Sequence, residues 1–311
     1  MANFNAKRAE LLHAGKANNV YATTNPDVLE LEASNRISAG NGAKTDVVTG
    51  KGEANNLISK AIFTELENRG VPTHYICAGT NSASKFVKKA KPIMLEVIGR
   101  FKATGSFAKA YQVEDMKEFD DLFIEYTYKC DASDDPRICN DAIIALGILT
   151  KRELGYVEYI TEKVGYIIKD FFAKCNGDLI DFKIEFGRLP NGQIVVIDEI
   201  SPDTCRIKDL TTGESLDKDR FRKDMGSVAE AYAEMANRVA AIEEWEKPHW
   251  SLWPVGFLFF CLRKFWVREK NSDHGIYLLY SQNLHIKIYG EYSAKCKCYK
   301  KMIYKWSIIK N

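Results

Sequence analysis

Residues 179–206, LIDFKIEFGRLPNGQIVVIDEISPDTCR, restrict this chain more than any other stretch. Ile180, Phe182, Ile184 and Phe186 alternate with Asp181, Lys183 and Glu185. Period-two alternation is the mark of a strand with one apolar and one polar face. Pro190, Asn191 and Gly192 then supply a tight turn. Gln193 to Ile197 is almost wholly apolar, which predicts a second strand, central and buried. A chain with this hairpin in its middle folds around a sheet.

The hairpin ends in acids. Glu185, Asp198, Glu199 and Asp203 are expected to crowd one end of it, with Lys183 and Arg206 among them. Carboxylates at that density repel one another unless a cation lies between them. For an arbitrary acidic pair, a solvated face is the plainer reading. Here the acids follow a buried strand and precede a Pro-containing turn, and the ends of strands on a rigid sheet are where sites are built.

DFKIEFG, DEISPDTCR and the later DKDRFR (residues 217–222) closely resemble motifs of the SAICAR synthetase family, the phosphoribosylaminoimidazole-succinocarboxamide synthases. The resemblance runs from about Ala9 to Val239 and stops short of the tail. Other stretches extend it. Glu10 to Thr23 reads as a hairpin bent at Gly15-Lys16-Ala17-Asn18-Asn19, and a glycine-bearing bend can lay N–H groups and a lysine on a triphosphate. The resemblance makes this the family's GKAK loop over ATP, with Lys16 on its first lysine, Ala17 and Val20 beside the nucleotide, and Asn18 in place of the second lysine. Ser38 to Lys44, too glycine-rich for regular structure, is similar to the SAxxG loop that lines the family's active site.

In GRFKATGS (residues 99–106), Gly105-Ser106 is expected to open a helix running towards Tyr111. Free N–H groups at a helix start, a hydroxyl and an arginine nearby make a seat for a phosphate. The family's VVRNRAAGS holds the substrate's 5′-phosphate; Arg100, Gly105 and Ser106 match it, and Gly99, Phe101 and Lys102 depart from it. Lys129-Cys130-Asp131-Ala132, with Asp134-Asp135-Pro136, is similar to the family's KxDAxxDP, which implies that Lys129 lies near the phosphoryl-transfer centre. DKDRFR implies that Lys218 and Arg222 face substrate.

Helices are expected over residues 50–70, 150–175 and 226–244, each with apolar residues at helical spacing. Strands are expected over 28–32, 71–78, 85–89, 93–98 and 122–128. The fold class is α/β (α+β). The resemblance divides it into a smaller, β-rich nucleotide lobe, residues 1–90, and a larger α/β lobe, residues 91–244, followed by an aromatic, basic extension, residues 245–311.

Charge separates the extension from the rest. From Trp245 onward there are 12 Lys+Arg and 4 Asp+Glu, a balance of +8 against a chain total of +2, which leaves −6 for residues 1–244. An acidic body argues against a nucleic-acid surface. All five tryptophans lie in the extension, and its uncharged run, Trp250 to Leu262, is 13 residues long. Spanning a bilayer takes about 20, so no transmembrane segment is expected. The periodicity of the extension is poor for helix and strand alike. The eight cysteines lack paired metal-ligand spacing and the N-terminus lacks an apolar signal core, so free thiols in the cytoplasm are expected.

The resemblance implies an ATP- and Mg²⁺-dependent ligase that joins L-aspartate to carboxyaminoimidazole ribonucleotide (CAIR) through an acyl phosphate. It assigns Glu185 and Asp198 to Mg²⁺, Lys16 and Lys129 to the ATP phosphates, and Arg100, Gly105, Ser106 and Arg206 to the ribonucleotide phosphate. It makes Lys129, Asp181, Lys183 and Asp203 the catalytic set, and places Asp181, Asp203, Lys218 and Arg222 on the substrate side. The partners are small molecules, and a homo-oligomer is compatible with the reading. A small-molecule kinase or a nucleotide-binding pseudoenzyme on the same fold are the alternatives.

Overall fold

The computed structural model describes residues 6–40, 42–246, 266–271, 276–281 and 284–289. The chain divides into two compact units, residues 1–245 and 246–311.

The first unit opens with β1 (Arg8–Ala14), β2 (Asn18–Thr23) and β3 (Val28–Ala33), a meander with the Gly15–Ala17 bend between its first two strands. β4 (Arg36–Ala39) and β5 (Lys44–Val47) pair as a separate antiparallel ribbon. The stretch expected to be irregular is therefore confined to the ribbon's tip; the residues on either side of the glycines pair Ser38 with Thr45 and Ala39 with Lys44. α1 (Lys51–Asn68) follows, then β6 (Tyr75–Ala78) and β7 (Ser84–Lys88), which complete a first sheet in the order β1-β2-β3-β7-β6.

β8 (Lys91–Lys102), α2 (Gly105–Tyr111) and β9 (Glu118–Tyr128) come next. α3 (Asn140–Ala145) and the long α4 (Lys151–Lys174) lead into the central hairpin, β10 (Gly177–Arg188) and β11 (Ile194–Ile197), then β12 (Cys205–Asp209), α5 (Asp219–Arg222) and α6 (Val228–Glu246). β10 is the hub of the second sheet, pairing antiparallel with β8, β11 and β12. α4 starts where the sequence expects it, because Thr150 and Glu153 form a reciprocal capping box. Its apolar stripe packs with α1, β10 and α6 into one core that includes Ile62, Val164, Phe172, Phe182, Ile184 and Val239.

β11 is not a central strand. It ends the sheet order, beyond β10. All four of its residues are nonetheless buried, because Pro72–His74 of the preceding loop pairs along its outer side: Val196 N–H donates to Pro72 O at 3.0 Å and His74 N–H to Val196 O at 2.9 Å. An all-apolar strand marks burial on both faces, and a single bridging segment supplies the outer partner as well as another strand would.

The second unit holds β13 (Trp266–Asn271), β14 (Ile276–Ser281) and β15 (Leu284–Tyr289), an antiparallel meander that the weak periodicity of the extension did not signal. The uncharged run at 250–262 lies outside the described residues. No helix among the described residues is long and apolar enough to cross a membrane.

Candidate active site

Two acids on the polar face of β10 are buried, Asp181 at 4 % and Glu185 at 6 % exposed, with the half-buried Lys183 between them. Register explains what it meets. On β8, Arg100 lies opposite Asp181 and Glu96 opposite Glu185. A glutamate facing a glutamate across a sheet is unfavourable unless cations intervene, and two lysines do. Lys183 Nζ stands 2.6 Å from Glu96 and 3.4 Å from Glu185, and Lys129 Nζ stands 2.5 Å from the other oxygen of Glu185. Burial works against the Lys183 ammonium, but Glu185, Glu96 and Asp198 outweigh it and hold its pKa above the usual value.

Asp198 is placed by the hairpin, one residue beyond the Ile197 that pairs with Glu185. Its φ is +66°, in the left-handed region where Asp is among the few tolerated side chains. Strain of that kind persists where the surroundings over-determine it, and it gathers at functional sites. The Gly15–Ala17 bend reaches the same place, for Asn18 Nδ2 donates to Asp198 Oδ1 at 3.5 Å. Burial, then Glu199, raise the Asp198 pKa against Lys183, Lys85 and Lys129; burial and Asp198 raise that of Glu185 against Lys183 and Lys129. Two neighbouring buried carboxylates that both resist ionisation suit a hard divalent cation. Among the described residues no three His, Cys, Asp or Glu side chains group as a metal site. The donor set fits Mg²⁺, which keeps water and phosphate oxygens and takes only one or two carboxylates from a protein.

A second cluster forms around Asp181. Its Oδ2 accepts from Arg100 and from Arg206, the latter at 2.7 Å, and Arg206 also donates to Asp219 at 3.1 Å. Arg100 spends its remaining donors on Glu125, at 2.8 and 2.6 Å. Gly105 has φ +57°, and a Cβ there would sit 2.8 Å from Arg206 Nη2, so both the conformation and the close approach require glycine. Ser106 beside it is exposed at the start of α2. The departures from the family pattern sort by face. Gly99 is packed against the Phe182 ring, and Phe101 meets Tyr166 and Phe182, so both serve the core. Lys102 is tied to Glu118 and Asp178 at 2.8 and 2.9 Å.

The four acids expected at one hairpin end divide into different environments. Glu185 and Asp198 face one another electrostatically. Glu199 takes a bond from Ser201 Oγ at 3.0 Å. Asp203 is sealed between Lys51 and Tyr232, each at 2.6 Å. Lys218 is half-buried, Arg222 is held by Asp219 at 2.7 Å, and Lys16 is exposed on the bend, with Ala17 and Val20 half-buried beside it. Glu96, Lys51, Glu125 and Asp219 belong to these clusters and were not among the sequence candidates. Glu96 had a signal: it stands four residues before Arg100 on one strand, hence on the same face. The partnership of Lys51 with Asp203, 152 residues away, had none.

An α+β body with two antiparallel sheets, a buried acid pair flanked by lysines and an arginine cluster at a helix start defines a protein built to handle anionic substrates. The comparisons with known proteins sharpen that class. The family model for SAICAR synthetase matches residues 11–239. The phosphoribosylaminoimidazole-succinocarboxamide synthase of Finegoldia magna is 45% identical over 230 residues, 74% of this chain and 99% of the relative. The crystal structure of the Ehrlichia chaffeensis synthase matches with TM-score 0.73 at 36% identity, covering 75% of this chain and 99% of that one. A SAICAR synthetase solved in complex with ADP matches with TM-score 0.71 at 38% identity, covering 75% and 98%. The chain belongs to the SAICAR synthetase family.

Proposed function

We infer that the chain is an ATP-dependent ligase that joins L-aspartate to CAIR, giving SAICAR, in de novo purine synthesis in the cytoplasm. The observation that carries this is the match of the body, residues 11–239, to synthases that it covers almost end to end. We read residues 1–90 as the nucleotide lobe, 91–244 as the substrate lobe and 245–311 as an extension outside the catalytic body.

A carboxylate is inert to amines because its leaving group would be oxide. In the first step a CAIR carboxylate oxygen attacks the γ-phosphorus of ATP and ADP leaves. In the second the aspartate amine attacks the resulting acyl phosphate, phosphate leaves and the nitrogen loses a proton. Such transfers depend on positioning and on charge neutralisation. Glu185 and Asp198 would hold Mg²⁺, which when bound neutralises the phosphate oxygens. Lys16 and Lys129 bring further positive charge to the phosphates, and Lys183, between Glu96 and Glu185, faces the reacting carboxylate. Ser106 and Arg206 take the ribonucleotide phosphate at the start of α2. Arg100, 2 % exposed, contributes its charge from behind and, with Asp181, sets the angle of Arg206. Asp203, Lys218 and Arg222 form the amino-acid side.

The test is ADP release from the full chain with each substrate omitted in turn. The ligase releases ADP only when ATP, the ribonucleotide and aspartate are all present. Release without aspartate identifies a kinase, and no release under any condition identifies a pseudoenzyme; either overturns the reading.

A further inference from the structure

α1 turns an unusual face inward. Lys51, Asn55, Asn56 and Ser59 are each no more than 2 % exposed. Burying polar side chains is costly unless each finds a partner. Three of them do. Lys51 reaches Asp203 at 2.6 Å, Asn56 donates to Ser82 O and Ser84 O at 2.7 and 3.0 Å, and Ser59 accepts from Lys85 at 2.9 Å. Asn55 is the exception: its amide nitrogen and its amide oxygen are both buried without a hydrogen-bond partner.

Its position limits what it can serve. Lys51, Asn55 and Ser59 are spaced by four and form one row along the helix. One end of the row rests on Asp203. The other accepts from Ile200 N–H at 3.4 Å. Asn55 therefore stands over the Ile200–Asp203 turn, between the acid pair and the amino-acid side. Lys51 and Lys218 both act on the carboxylate of Asp203, and Glu199 acts on Lys218 as well, so the turn is rich in groups that bind charge. An amide presents one donor and one acceptor group together, and on Asn55 neither is used.

We propose that Asn55 belongs to the pocket for the amine substrate, an amino acid with an acidic side chain. Its amide oxygen accepts from the substrate's amine and its amide nitrogen donates to a substrate carboxylate. The proposal rests on the ligase reading. Entry is by exchange: an incoming carboxylate takes the place of Asp203 on Lys51 and uncovers the amide.

The test uses Asn55→Leu, near in size and apolar, in the full chain. The KM for L-aspartate is expected to rise about tenfold or more, the loss of one charge-assisted hydrogen bond. The KM values for ATP and the ribonucleotide stay within about twofold. The ligand-free melting temperature holds or rises by about 2–4 °C, since an unpaired amide has left the core. The thermal shift that aspartate induces in the presence of ADP, Mg²⁺ and the ribonucleotide disappears, which reads binding apart from turnover. A lower melting temperature with an unchanged aspartate KM would mark a structural amide bonded through a buried water, and a KM effect on the ribonucleotide alone would put Asn55 in the other pocket; either overturns the proposal. If the leucine variant does not fold, Asn55→Ala is judged by the same KM and binding readouts. A wild-type chain that makes no SAICAR refutes the ligase reading itself, whatever Asn55 does.

Discussion

At the scale of single residues, the site depends on groups placed by backbone geometry and by opposed charges. Asp198 combines a left-handed backbone with a buried carboxylate. Asparagine tolerates that conformation, so Asp198→Asn isolates the charge. Turnover should fall by about 10²–10³ while the melting temperature stays close to that of the wild type; near-normal turnover at saturating Mg²⁺ would remove Asp198 from the site. Arg100→Ala should behave differently, because it strips a partner from both Asp181 and Glu125. Breaking a buried ion pair costs about 3 kcal/mol, so urea unfolding should show a clear loss, together with a larger rise in KM for the ribonucleotide than for ATP. An unchanged urea midpoint would mean that the two acids do not need this arginine. The chemistry of these residues was legible in the sequence, since the acids, lysines and arginines stand in motifs at strand and helix ends. Their pairings were not. Strand register decides that Glu96 faces Glu185, and only the folded chain brings Lys51 to Asp203.

Among the elements, α4 was the most legible, because its 3.6-residue periodicity runs through the whole helix, and the structure adds a capping box at its start. Thr150→Ala should destabilise the protein by about 1 kcal/mol, read as a lower urea midpoint with an unchanged slope; no change would show that tertiary packing alone sets the start of the helix. Hydrogen bonding by the Thr150 N–H and then by Arg188 lowers the Glu153 carboxyl from its usual 4.5 to about 2. A carboxyl depressed in the folded state stabilises above its unfolded pKa, and that contribution fades as pH falls through the folded one. The gap in urea midpoint between wild type and Glu153→Gln should therefore narrow as pH is lowered from about 5 towards 2; a gap that widens would refute the cap's ionic share. β11 was misplaced because an all-apolar run reports burial and not the identity of the neighbour. The β4–β5 ribbon was missed because its glycines mark the tip while the pairing residues beside them have no pattern of their own.

For the whole molecule, the family match ends at residue 239 and the first compact unit at 245, so the assigned site residues all precede the second unit. A chain ending after Glu246 is expected to fold, keep the aspartate-dependent ADP release of the full chain and melt within about 2 °C of it, the shift that follows from about 0.5–1 kcal/mol. A truncated chain that aggregates, or that melts well below the full one, would show that the extension belongs to the body. The pairing of Pro72–His74 with Val196 bears on how the protein is made. Thr73 bridges Val196, 123 residues further along the chain. A ribosome adding about 5–20 residues per second needs roughly 6–25 s to cover that interval. Throughout it the last segment before β6 has no strand to lie against, and for most of it the hub strand β10, residues 177–188, has not been made. A half-built body of this kind exposes apolar surface of the sort that chaperones bind, so slowing translation between these two points is expected to lengthen the stay of the nascent chain on them.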